Sequence, residues 1–346
     1  MLWEQSPFVS LSAHSAIWET KMPHGFSDRL RVGFFAQQNN SSPVHVKLKT
    51  GADDVNNVGR IVAIDGKRYH EIWGAEEADR IDGIQWIRVM PDPRFGSKID
   101  LQMPELCRKM ILTANETVPS SVVPELTLMK FVAPEAADLD STKHWDNRMY
   151  CPEDRACTPQ GILAMEPCIA KRGVTVPIYV SFPYFMDADP RISARVEGLP
   201  KPNKEKHGIH ILVEPNTGIV LEAYVRFQLN LFMANKNDKR YKNMAGPYYF
   251  PIAWVEGNII SPKNLVQLLK SVAIDTRTKV PFILSVLAIL CGIASFALLI
   301  ILAIRVGIHR FRNNAQTTGL GDPGKSTFPH AQQSDPKLGR TPPVET

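Results

Sequence analysis

Hydrophobic positions along this chain follow two regimes. From Val280 to Ile304 there is no charged residue at all, and Lys279 and Arg305 bracket the run. At about 1.5 Å per residue, such a helix is long enough to cross a hydrocarbon core of about 30 Å. It has no polar face to turn toward water, so it reads as a transmembrane helix rather than a buried core helix. Upstream, the pattern is mostly of period two, which is the signature of half-buried strands. Val44–Lys49, Arg60–Asp65, Arg68–Trp73, Met110–Thr113, Leu126–Val132, Ile178–Phe182, Ile209–Val213, Val220–Phe232 and Tyr248–Val255 are the strand candidates. Asp65-Gly66 between the second and third predicts a tight hairpin. Pro91–Pro104 reads as irregular and Pro134–Asn147 as a loop.

Val220–Phe232 is the longest candidate. Its pleat puts Tyr224, Arg226, Gln228 and Asn230 on one face and Val225, Phe227, Leu229 and Leu231 on the other. A polar face of that length lines solvent or a wet cavity, and solvent is the default expectation. Pro262–Ala273 has helical spacing with Ser261 as its cap, and residues 313–346 are rich in Gly, Pro, Ser, Thr and Gln, as a disordered tail is. No internal repeat is visible.

Composition narrows the class. With 346 residues, 44% of them apolar, the chain can bury a sizeable core. A net charge of +5 without a Lys/Arg block or a basic–aromatic stripe argues against nucleic acid as a partner. Four cysteines (Cys107, Cys151, Cys157 and Cys168) precede the span and a fifth, Cys291, lies within it. Four cysteines allow three disulfide pairings, and spacing does not choose among them. Asn39, Asn40 and Asn115 each open an Asn-x-Ser/Thr glycosylation sequon. The basic residues flanking the span are close to balanced, so the sequons and cysteines decide the orientation: 1–279 outside the cytosol, 280–304 in the membrane, 305–346 inside. Met1–Phe8 lacks the basic start and apolar run of a signal peptide.

Local catalytic signatures are missing: no Gly-x-Ser-x-Gly, no His-Glu-x-x-His, no Walker loop and no Cys-x2-Cys pair. His207 and His210 are the nearest histidines, and on a strand they point to opposite faces, which disfavours a metal pair. The expectation is a non-enzymatic protein without cofactor or metal.

Several segments together resemble the class B scavenger receptors. They are Pro177–Pro190 (Pro-Ile-Tyr-Val-Ser-Phe-Pro-Tyr-Phe-Met-Asp-Ala-Asp-Pro), Glu197–Pro200, Glu214–Gly218, Arg226–Asn230 and Phe250–Trp254. The order runs back through Ile64–Arg68, Val32-Gly33 and Leu2-Trp3. The resemblance implies a mixed, mainly β fold: part of an irregular antiparallel β-barrel ectodomain with short helices, plus one C-terminal transmembrane helix. It implies the pairs Cys107–Cys168 and Cys151–Cys157, the latter most like the lysosomal branch of the family. A third bridge common in the family would fall near Ala75 and Met149, neither of which is cysteine here. Family members have a span at each end and a helical cap. The chain therefore reads as an incomplete gene model or an N-terminally truncated form, one in which activity can be lost. An upstream in-frame exon encoding an apolar segment would support that reading.

The implied function is that of a membrane receptor that binds lipids, fatty acids or lipoprotein particles and passes apolar cargo through a tunnel. The alternative is a lysosomal-type trafficking or adhesion receptor with a lumenal protein ligand. No ligand-contact residue follows from the resemblance. The tail holds neither Tyr nor Leu-Leu, which favours the plasma membrane over the lysosome.

Overall fold

The period-two stretches form strands in the computed structural model. It describes residues 44–317 apart from 136–137, 152–156, 172–175 and 235–245, together with residues 12, 14–15, 20–21 and 31–32. Two short ladders come first: β1 (Thr20–Lys21) with β2 (Arg31–Val32), and β3 (Val46–Leu48) with β4 (Ile61–Ile64). The main sheet comprises β5 (Lys98–Met103), β6 (Arg108–Pro119), β7 (Thr127–Val132), β8 (Leu163–Ala164), β9 (Ile178–Ser181), β10 (His210–Val213), β11 (Val220–Met233) and β12 (Tyr248–Ile260). Its path is β5-β6-β7-β10-β11-β9-β8, with β12 also on β11, and every ladder is antiparallel.

β11 organises this sheet. β12 pairs with it from Glu222 to Met233 and so takes one whole edge. β10 pairs with Val220–Tyr224 and β9 with Gln228–Leu231, so these two share the opposite edge end to end. The sheet forks there, one branch running through β10 to β5 and the other through β9 to β8. The chain is therefore mainly β with short helices, and the sheet does not close into a barrel among the described residues.

The core follows the pleat. Met110, Leu112 and Ala114 of β6, Met129 and Phe131 of β7, Ile211 and Val213 of β10, Val180 of β9 and Ala223 of β11 form one buried cluster. Phe131, Leu112 and Ile211 are fully buried. At Gly218, in the turn before β11, an added Cβ would stand 2.1 Å from the Val89 carbonyl oxygen, and φ is +73°; only glycine fits.

Some expectations give way. Asp65 and Gly66 do make the tight turn, both with positive φ, and Ile64 bridges Lys67 across it. Arg68–Trp73, however, is not a strand. The Asp79 carboxylate takes the backbone N–H groups of Ile72, Trp73 and Gly74 at 2.8 to 3.2 Å, leaving none of the three for a ladder. Within Pro91–Pro104, Lys98–Met103 is a strand (β5); Ile99, Leu101 and Met103 alternate with polar residues, a signal overshadowed by the flanking prolines and glycine. Ser261 does not cap the next helix. That helix runs Lys263–Leu269 with Pro262 at the cap position and no side-chain cap bond, and the Ser261 N–H donates to the Leu221 carbonyl.

Two disulfides are present. Cys107–Cys168 ties the β5–β6 turn to the helix Glu166–Ala170 across a sequence separation of 61, and Cys151–Cys157 closes a short loop. The Trp73 indole N–H donates to the Cys107 carbonyl at 2.7 Å, and Ala75 and Met149 pack into the Trp73 cluster.

The chain forms two units, Met1–Thr276 and Arg277–Thr346. In the second, the helix Thr276–Thr317 carries the apolar run and extends past both predicted ends of the span. It is long and apolar enough to cross a membrane.

Candidate functional site

The β11–β12 hairpin inverts the expected use of its faces. Residues directly opposite in an antiparallel pair share a face. Tyr224 therefore sides with Asn258, Arg226 with Glu256 and Gln228 with Trp254, and this is the polar face. Solvent was the default for it, yet Glu222, Arg226, Gln228 and Asn230 are all buried, Asn230 completely. The solvent-lining expectation is overturned. The backbone of the Phe182–Phe185 turn and the Ser120–Ser121 corner supply donors on that side, so burial leaves the polar groups paired.

The pairing is extensive. The Glu222 carboxylate accepts from Ser120 Oγ at 3.0 Å, the Ser121 N–H at 2.8 Å and the Tyr224 hydroxyl at 3.1 Å. Arg226 donates to Glu256 at 2.8 Å and to the Gly208 carbonyl at 2.9 Å. Gln228 accepts from the Tyr184 N–H at 2.8 Å and donates to Asn230 Oδ1 at 2.8 Å, and Asn230 donates to Ser181 Oγ at 3.0 Å. Farther along this side, the His210 imidazole stacks on Tyr224. Burial first, then Lys130 and Arg226, lower its pKa to about 4, so the ring is neutral near pH 7. Arg226 holds the Glu256 carboxyl below its ordinary value.

The opposite face is apolar and accessible. Val225, Phe227, Leu229 and Leu231 are only partly buried. By register, Phe250, Ala253, Val255 and Ile259 of β12 join them; Phe250 is 51% exposed and Ile259 55%. Phe227 and Leu229 touch the main core, so this surface continues the core outward. A pocket of about 10 Å³ between Met110, Leu163, Phe182 and Phe227 has room for about one water. The outer edge of β12 has no partner strand among the described residues.

Of the other sequence-derived positions, Asn115 is exposed on β6, where the ladder register shifts; Asn39 and Asn40 lie outside the described residues. His207 ends the helix Lys204–His207 and His210 opens β10. No group of His, Cys, Asp or Glu that could hold a metal occurs among the described residues. The accessible apolar face was the finding hardest to see in advance: alternation identifies two faces, but which one is covered depends on segments distant in sequence.

The CD36 family model matches residues 1–305. Sensory neuron membrane protein 1 of Helicoverpa assulta is 28% identical over 249 residues, 70% of this chain and 44% of the relative. Lysosome membrane protein 2 of Rattus norvegicus is 25% identical over 300 residues, 84% of this chain and 60% of the relative; the Homo sapiens protein is 26% identical over the same length. The chain thus spans about half the length of the curated relatives it matches.

Proposed function

The chain belongs to the CD36 family of scavenger-type membrane receptors, and from that premise we propose that the apolar face of β11 and β12 receives the acyl part of a lipid. The observation that carries this is the inversion of the hairpin: its polar side chains are buried and satisfied while Val225, Leu231, Phe250 and Ile259 stay accessible. Leaving apolar surface in water is unfavourable by roughly 25 cal/mol per Å², so a contiguous accessible apolar face marks a surface meant to be covered. Fatty acids, lipids or the surface of a lipoprotein particle fit that chemistry. Binding and handing on such cargo needs no covalent step.

Ala253→Glu and Leu231→Glu each place a charge on this face. Transfer of a fluorescent fatty acid to acceptor vesicles should fall at least about fivefold in either variant. Ile260→Glu, exposed on the other face, should stay within about twofold of the parent. Equal transfer by all of them would shift the reading to capture of a protein partner, for which the open edge of β12 offers strand pairing.

We also propose that the sheet unit lies outside the cytosol, because the exposed Asn115 belongs to it together with both disulfides. Asn115→Gln should then increase mobility on a denaturing gel, and glycosidase should abolish the difference; identical mobility before digestion would contradict this orientation.

A further inference from the structure

Packing fixes which end of the sheet unit lies nearest the membrane. Val266 of the helix Lys263–Leu269 is completely buried in a cluster with Leu128, Leu212 and Leu221, and Leu269 and Ile274 pack against the same cluster. Just before that helix, the Ser261 N–H is held by the Leu221 carbonyl at 2.8 Å. The chain is therefore tied to the sheet as far as Ile274, and only residues 275–279 separate that point from Val280, where the apolar span begins. Even fully extended, this connection reaches about 20 Å. The edge of the hydrocarbon core must lie within that reach, and the headgroup layer takes up about 5 to 8 Å of it.

A loop stands at this same end. Ile219 also packs against the Val266 cluster, and Arg88 bridges it. On either side of that bridge the Val220 N–H donates to the Ile87 carbonyl at 3.0 Å and the Val89 N–H to the Gly218 carbonyl at 2.7 Å. The Asp92 N–H donates to the Pro215 carbonyl at 2.7 Å, and Arg88 Nε to the Thr217 carbonyl at 3.0 Å. The stretch Ile87–Asp92 is thus pinned about one strand spacing, near 5 Å, from the turn that leads into β11.

Its apolar side chains are split. Val89 is buried, whereas Ile87 is 62% exposed and Met90 44%. With its backbone held at four points, the loop cannot fold back to cover them. Val55, 50% exposed, opens the short turn Val55–Asn57; Gly59, just beyond, lies against Arg88, where an added Cβ would stand 2.6 Å from the carbonyl oxygen. Phe95 is a poor member of this patch, because the Gly96 N–H donates to Ala114, beside Asn115, where a glycan needs water. Single exposed apolar residues are ordinary; these three are informative because of where the chain enters the membrane.

We propose that Ile87 and Met90, with Val55 beside them, dip into the interfacial layer of the bilayer leaflet on the sheet unit's own side, as a second membrane contact besides the span. The bilayer is the apolar phase that the short 275–279 connection holds next to this loop. Arg88, between Ile87 and Met90 and only partly buried, brings a positive charge suited to the phosphate layer, its apolar stem lying along the same surface. Such a contact fixes the tilt of the sheet unit over the membrane. It depends on the span crossing the bilayer and not on the acyl wall.

The test uses the full chain in phosphatidylcholine nanodiscs. Four cysteines are in disulfides, so Cys291→Ser leaves each added cysteine as the reactive thiol. A nitroxide is placed by Ile87→Cys, Met90→Cys or, as the aqueous reference, Glu197→Cys. Glu197 is exposed two residues from Arg195, which donates to the Pro247 carbonyl at the far end of β12, about 40 Å from Ile260. All three positions are exposed, so the labels should leave the melting midpoint as in the parent. In power-saturation spectra, collision with oxygen relative to a water-soluble nickel chelate should be at least about fivefold greater at positions 87 and 90 than at 197. A water-like ratio at both loop positions would overturn the proposal. Shielding of both from oxygen and nickel alike would overturn it too, since it means cover by polypeptide. Neither result bears on fatty acid transfer, so this contact and the acyl wall can fail separately.

Discussion

Replacing Cys107 and Cys168 together by alanine should lower the melting midpoint of the sheet unit by about 8 to 16 °C and sharply reduce folded yield. The bridge closes a loop with a sequence separation of 61, for which chain entropy gives about 4 kcal/mol. Within that loop lie all of β6, β7 and β8, so the unfolded chain gains freedom over a large part of the main sheet. Cys151–Cys157, with a separation of 6, closes far less chain, and its removal should cost about 2 kcal/mol. The contrast is readable by thermal unfolding of the two double-alanine variants side by side. Equal losses from the two pairs would mean that loop length does not govern their contribution.

Asn230→Leu should destabilise the same unit by about 2 to 3 kcal/mol, although leucine is the better core residue by transfer free energy. Asn230 is completely buried; its side chain accepts from Gln228 and donates to Ser181 Oγ. The substitution removes the short 2.8 Å acceptor of the Gln228 amide and leaves that amide only its 3.4 Å contact to Ser181 Oγ, inside a buried network. Gln228→Leu should cost a similar amount and additionally free the Tyr184 N–H. Because the two side chains share one network, the double variant should cost clearly less than the sum, a coupling of about 1 kcal/mol or more in a double-mutant cycle. Strict additivity in chemical denaturation would show that the network is not cooperative.

These residues also show how far the sequence could be read. Strands such as Ile209–Val213 and Val220–Phe232 were legible because half-buried strands must alternate, and both form within a residue of their expected ends. Lys98–Met103 alternates too, but prolines on both sides suggested an irregular segment; a strand needs only its own N–H groups, and the prolines fall outside it. Arg68–Trp73 failed for the opposite reason. It has strand composition, but the Asp79 carboxylate, distant enough to escape a local pattern, takes its N–H groups. The proposed pairing of cysteines came from family resemblance, since four thiols at these spacings permit three arrangements.

The site was legible only in part. Alternation along Val220–Phe232 separated a polar from an apolar face, but periodicity favoured solvent for the polar one only by default, and the family resemblance left the question open. Polar side chains can be buried when donors converge on them, and here those donors come from Ser120, Ser121, Ser181 and Tyr184. None of these contacts is local in sequence. The contacts among Tyr184, His207 and Trp254 were invisible for the same reason: the three rings are far apart along the chain, and Trp254 reaches the other two by the pairing of β12 with β11.

The acyl wall is tested most directly by photocrosslinking the membrane-embedded chain with a diazirine fatty acid and mapping the adducts by peptide mass spectrometry. Adducts on Val225, Phe227, Leu229 or Leu231, or on their β12 neighbours Phe250 and Val255, are the expected result. Adducts confined to the Thr276–Thr317 helix, or found equally on Tyr224 and Asn258 of the other face, would contradict it.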